Sequence, residues 1–188
     1  MADVRLMIVS DHYPPFIGGA HRQSHLLAKH MVSRGHEVTV ATMGHGGLPM
    51  REEVDGVDIR RVRESRTVIS ALVRDGEQRL HQPPYPDPVS VRALRRILRE
   101  IRPELVHVHG LLASSVSAAL IGTRIPLLVS ARSYGNYCAT RTMIYGDLPC
   151  TGPSPRKCLR HASEHYGAAK GVITVAASRL PDRYSCAG

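Results

Sequence analysis

The sequence predicts an α/β protein: a three-layer sandwich with helices on both faces of a mainly parallel sheet. Three observations carry that prediction. Apolar runs of four to seven residues alternate with stretches of helical periodicity, the pattern of βαβ units. The first run, Leu6-Met7-Ile8-Val9, is apolar at every position, as a strand buried on both faces requires. A chain of 188 residues, 43% hydrophobic and 22% charged, has the material for one domain-sized core and is not disordered by composition.

Taken in order, Arg5–Ser10 is the first strand. Gly19 or Ala20 opens a helix to Ser33, with Leu26, Leu27, His30 and Met31 at core spacing, and Gly35 ends it. Glu37–Ala41 is the second strand, residues 43–55 are loop, and Val57–Val62 is the third strand. A short helix is expected over Thr67–Leu80, followed by a proline-rich turn through Pro88. Val89–Arg102 is a helix stopped by Pro103, with Leu94, Ile97, Leu98 and Ile101 on one face and Arg92, Arg95, Arg96, Arg99 and Arg102 on the other. Leu105–His109 is a strand, Leu112–Gly122 a small-residue helix and Pro126–Ala131 another strand. Residues 132–161 form a cysteine-bearing excursion. A helix near Ala162–Ala169 then leads to a last strand, Val172–Ala176.

Charge narrows the function classes. The formal net charge is +9 and the isoelectric point is near 9.9; of 25 cations, 22 are arginine. Guanidinium forks bind phosphate and carboxylate bidentately, although an arginine-rich proteome would give the same skew. Nucleic acid is a poor partner, because one Phe, no Trp and seven Tyr leave few stacking platforms. No apolar run approaches the roughly 18 residues of a membrane span, and Leu6–Val9 is too short for a signal-peptide core. The expected location is the cytoplasm. The arginine stripe is a solvated face, with peripheral contact at the inner face of the membrane as its alternative.

The chemistry-bearing residues begin where the first strand ends: Ser10-Asp11-His12-Tyr13-Pro14-Pro15-Phe16-Ile17-Gly18-Gly19. A glycine pair before a helix lets backbone N–H groups approach an anion. A Cβ at Gly19 would crowd that approach and penalise any positive φ. The spacing is not GxGxxG, so the dinucleotide-dehydrogenase fingerprint is missing. His109 ends its strand where open α/β sheets bind ligands, and His107 points the same way by alternation.

This string, with His25-Leu26-Leu27-Ala28-Lys29-His30, Arg34-Gly35-His36-Glu37-Val38-Thr39-Val40-Ala41-Thr42, Pro103-Glu104-Leu105-Val106-His107-Val108-His109-Gly110 and Gly171-Val172-Ile173-Thr174-Val175-Ala176, resembles the family-4 retaining glycosyltransferases. These are two-lobed GT-B enzymes. The resemblance implies that residues 1–188 are the Rossmann-like N-terminal, acceptor-side lobe, with the donor-binding lobe outside the chain and the chain alone inactive. It implies a nucleotide-sugar donor and a glycan, lipid-linked or small-molecule acceptor. It also implies that catalysis needs no metal cofactor. Gly18 and Gly19 then line the cleft near the donor diphosphate. His109 and Arg132 stand at catalytic positions, Arg132 where relatives carry a histidine. His12, Ser133 and Tyr134 line the acceptor pocket. Arginine stays protonated, so Arg132 could bind an anion but not act as a base. A stand-alone flavodoxin-like phosphate- or metal-binding module is the rival reading.

Cys138, Cys150, Cys158 and His161, with Cys-x2-His at the end, have the composition of a structural zinc site. Thiols that merely pack are the alternative. Cys186 stands apart from this group.

Overall fold

The computed structural model describes residues 3–16, 18–65, 86–131, 134 and 138–178. The expected helix over 67–80 and the proline-rich turn through residue 85 lie outside them, as do Arg132, Ser133 and Cys186. Among the described residues the elements are β1 (Arg5–Ser10), α1 (Gly19–Ser33), β2 (Glu37–Met43), β3 (Arg51–Val54), β4 (Val57–Val62), α2 (Pro88–Ile101), β5 (Leu105–His109), α3 (Ala113–Leu120), β6 (Leu127–Ser130), β7 (Ile144–Tyr145), β8 (Leu148–Pro149), α4 (Pro155–Tyr166) and α5 (Ala168–Ser178).

Six strands form one sheet in the order β3-β4-β2-β1-β5-β6; only β3 runs antiparallel to its neighbour. The sheet is therefore the α/β layer that the alternation of patterns predicts. Strand alternation sorts its side chains into two cores. Leu6, Ile8, Val38, Val40, Val57 and Ile59 pack with Leu27, Ala28 and Met31 of α1. Met7, Val9, Ala41, Val62, Val106 and Val108 pack with Leu94, Ile97 and Leu98 of α2 and Val116 of α3. Burying a Val, Leu or Ile side chain stabilises by about 1.5–3 kcal/mol, so β1, β2 and β4, which supply both cores, are fixed from both faces.

Local signals set the ends of these elements. The Asp87 carboxylate accepts the Ser90 N–H at 2.8 Å, capping α2 ahead of Pro88. Gly35, at φ 86°, closes α1.

Four expectations need correction. The stretch 43–55 is not all loop: Arg51–Val54 pairs with β4 through a turn at Asp55 and Gly56, both at positive φ (53° and 76°). Asp-Gly is a hairpin signal, and its charged strand suits an exposed edge. The core face of α1 is Ser24, Leu27, Ala28 and Met31, whereas Leu26 is half exposed and His30 exposed. The helix expected at 162–169 begins seven residues earlier, at Pro155, where proline's fixed φ suits the first turn. Finally, Val172–Ala176 is not a strand but lies within α5. Its β-branched run gives way to a close helix pair. At Gly171 an added Cβ would stand 2.6 Å from the Ser163 backbone nitrogen, so α4 and α5 meet backbone to backbone there.

Candidate functional site

The parallel register aligns polar residues across the C-terminal edge of the sheet. Thr42 of β2 pairs with Ser10 of β1, Ser10 with His109 of β5, and His109 with Ser130 of β6. Partners in register point to one face, so these four side chains form a row on the α1 side. The Ser24 hydroxyl of α1 donates to Ser10 Oγ at 3.2 Å, and Ser10 Oγ donates to the His12 carbonyl at 2.8 Å. His109 is buried and stacks on His107 with ring centroids 4.1 Å apart. The His107 Nε2 lies 2.8 Å from Ser130 Oγ.

Asp11 ties two strand ends together. Its carboxylate accepts the Leu111 and Leu112 N–H groups at 2.8 and 2.9 Å, at the start of α3. The intervening turn needs Gly110, at φ 98°, where a Cβ would fall 2.2 Å from the Asp11 carboxylate. Burial pushes the Asp11 carboxyl up; the two N–H bonds and the charges of His21 and Arg141 pull it back. This role of Asp11 is not apparent from its own position in the sequence. The pairing of an Asp after the first strand with a Gly after the fifth was the available signal.

A cluster of rings covers the loops beside this row. His12 Nδ1 lies 3.1 Å from His45 Nε2, and the His12 centroid is 4.9 Å from that of His21. Phe16 packs on His45 at 4.1 Å. Burial lowers His12 to about 4, helped by His21 and His45, and lowers His45 as well. His12 is therefore neutral at pH 7, able to donate through one nitrogen and accept through the other. His21 and His45 were not anticipated, because nothing in their sequence spacing brings them to His12.

Gly18 and Gly19 lead into α1 at the same edge. Gly18 is the N-cap, no side chain caps the helix, and the first turn carries no acid. Such a turn leaves N–H donors without intrahelical partners. At Gly18 a Cβ would press to 2.8 Å from His21 Nδ1, whereas at Gly19 it would meet nothing within 4 Å. Gly19 is not among the positive-φ residues, so the φ penalty expected there does not apply.

Of the other expected site residues, Tyr134 is exposed, and Arg132 and Ser133 lie outside the described residues. Cys138, Cys150, Cys158 and His161 share the lining of one cavity of about 20 Å³. Their donor types suit zinc, but their present orientations do not. Cys138 Sγ sits 3.2 Å from Thr140 Oγ1, Cys150 Sγ donates to the Gly152 carbonyl at 3.4 Å, and Cys158 Sγ accepts the Ser154 N–H at 3.4 Å. Among the described residues no three His, Cys, Asp or Glu side chains are grouped to hold a metal. Nor is any helix there long and apolar enough to cross a membrane.

Comparison with known proteins gives one family. The model described as Glycosyltransferase Family 4 matches residues 17–178. No curated protein matches. Among solved structures, a protein described as an epimerase from Burkholderia cenocepacia J2315 is 14% identical, with a TM-score of 0.44 over 97% of this chain and 52% of that one. One described as an NADPH:quinone reductase from Mesorhizobium loti is also 14% identical, with a TM-score of 0.32 over 96% and 44%. The chain thus spans about half the length of the solved structures it matches.

Proposed function

Because the chain belongs to glycosyltransferase family 4, we propose that it is the acceptor-side lobe of a two-lobed enzyme that moves a sugar from a nucleotide-sugar donor to an acceptor hydroxyl with retention. The observation that carries this reading is the open helix start at Gly18-Gly19 on the same sheet edge as His12 and His109. Uncapped N–H groups and the helix dipole favour the charge that develops on a departing diphosphate. Gly19 supports that role, since nothing inside the protein fills the space a side chain would take.

The acceptor hydroxyl attacks on the face that the diphosphate leaves, and its proton passes to the leaving phosphate oxygen or to a neighbouring acceptor. His109, held by its strand, positions the reacting end, with Arg132 as an anion-binding partner. A neutral His12, the exposed Tyr134 and the hydroxyl of Ser133 offer hydrogen bonds to the acceptor. The acceptor class is a glycan, a lipid-linked sugar or a small glycoconjugate, met in the cytoplasm or at its membrane face. With one cleft wall only, positioning and water exclusion are incomplete, so the 188-residue chain alone transfers no sugar.

The test is transfer by the longer protein, followed by NMR at the anomeric carbon. The donor's anomeric configuration should persist in the product. Inversion would overturn the retaining reading, and turnover by the isolated chain would overturn the lobe assignment.

A further inference from the structure

A groove of about 720 Å³ runs between the β3–β4 hairpin and α2, on the α2 side of the sheet. The hairpin contributes Arg51 and Arg60, with Arg63 just beyond it; Arg61, in register with Thr42, sends its side chain to the other face of the sheet. The helix contributes Arg92, Arg96 and Arg99, whose spacing of four and three residues puts them on one face. These six guanidinium groups meet two carboxylates. Asp58 is shared by Arg51 and Arg60, and Glu100 by Arg60 and Arg96. Among the described residues, six cations less two anions leaves four positive charges. Among the described residues, Arg63, Arg92 and Arg99 have no ion-pair partner.

The Arg60 side chain, held between Asp58 and Glu100, is 13% exposed. Val62, Ala93 and Ile97 give the groove an apolar floor, which lowers the local dielectric and strengthens charge recognition above it. Among the described residues the lining contains no aromatic ring, so none of them offers a nucleobase a stacking platform. The groove is also concave, so a flat bilayer would reach its rim and not its floor.

We propose that this groove binds a small ligand carrying two or more phosphate groups, with Arg63, Arg92 and Arg99 as its principal contacts. Guanidinium forks grip phosphate oxygens bidentately, and a surplus of about four charges matches an oligophosphate better than a single carboxylate. The site is independent of the sugar-transfer reading, since none of these residues belongs to the strand-end row.

Calorimetric titration with sodium tripolyphosphate tests it. Binding should be saturable at low ionic strength and weaken steadily with added salt. The double variant Arg92→Ala/Arg99→Ala should bind about tenfold more weakly or worse, the loss of two charge-assisted contacts, with its melting temperature unchanged. Arg34→Ala/Arg124→Ala, exposed positions outside the groove, removes the same charge and should change affinity less than about twofold, as general screening alone would. Absence of tripolyphosphate binding, or equal losses in the two double variants, would overturn the proposal. So would recruitment to phosphatidylglycerol vesicles with no binding of soluble tripolyphosphate, which would identify a membrane surface.

Discussion

The strand-end row and the cysteine-bearing excursion hold their polar groups by different means. Thr42, Ser10, His109 and Ser130 are placed by the register of four adjacent parallel strands, of which β1 and β2 are buried on both faces. Cys138, Cys150, Cys158 and His161 converge through local turns, a two-residue hairpin and the first turns of α4. Arg141 and Met143 there adopt positive φ, and Leu148 of the hairpin is largely exposed. The first region takes its geometry from the core and is rigid for that reason. The second takes its geometry from weak contacts, so a ligand could rearrange it at small cost.

The largest effect should come from breaking the tie between β1 and α3. Gly110→Ala puts a Cβ where the Asp11 carboxylate sits and forces a side chain into positive φ. A loss of about 3 kcal/mol or more is expected in denaturant unfolding. Asp11→Ala alone should lose about 2 kcal/mol, from two buried N–H groups left without an acceptor. In the double variant the losses should fall well short of additive, because both changes break one contact. Simple additivity would mean that the carboxylate and the turn are not coupled.

Next in size is the response to acid. His12 is lowered to about 4 from an ordinary 6.5, so the unfolded chain takes the proton first. Its contribution to stability is therefore whole above pH 6.5 and is lost progressively as pH falls toward 4. His45, also lowered, acts in the same direction, whereas Asp11, raised by burial, acts oppositely. The informative quantity is thus a difference. His12→Asn should flatten the decline in melting temperature between pH 6.5 and 4 relative to the parent, and an unchanged slope would contradict the buried, neutral imidazole.

The excursion should yield the smallest change in global stability and the clearest ligand response. Three weak thiol contacts cost on the order of 1 kcal/mol each to break, against about 10–16 kcal/mol for assembling a structural zinc site. Rotation of Cys138, Cys150 and Cys158 toward their shared cavity is therefore affordable. We expect the chain to take up one zinc, and Cys158→Ser to abolish uptake while changing the unfolding free energy of the metal-free protein by less than about 1 kcal/mol. Elemental analysis showing no zinc after anaerobic purification with the metal present would leave the cysteines as packing groups.

This contrast also explains what could be read from the sequence. Leu6–Val9, Val38–Ala41 and Val106–Val108 announce buried strands because their apolar runs are governed by the sheet itself. His109 could be placed at the functional edge for the same reason. The contact of His12 with His45 could not, because it depends on how the loops after β1 and β2 fold over each other, a tertiary fact without sequence period. In Val172–Ala176 local β-propensity misled, where the Gly171–Ser163 approach selected a helix pair. The Asp55-Gly56 turn signal is legible, but charged Arg51-Glu52-Glu53 does not look like a strand until its edge position is known.

The glycine loop tests the account most directly, since the lobe itself has room for a side chain at Gly19 and a bound phosphate would not. In the two-lobed enzyme proposed above, Gly19→Val should lower turnover at least tenfold, about 1.4 kcal/mol of transition-state stabilisation. Melting of this lobe should hardly move, because the added side chain enters open space without a positive-φ penalty. Both quantities are to be measured on the same purified variant. Lost turnover with melting intact is the predicted result; a folded variant with parental turnover would contradict the phosphate-binding role of the loop.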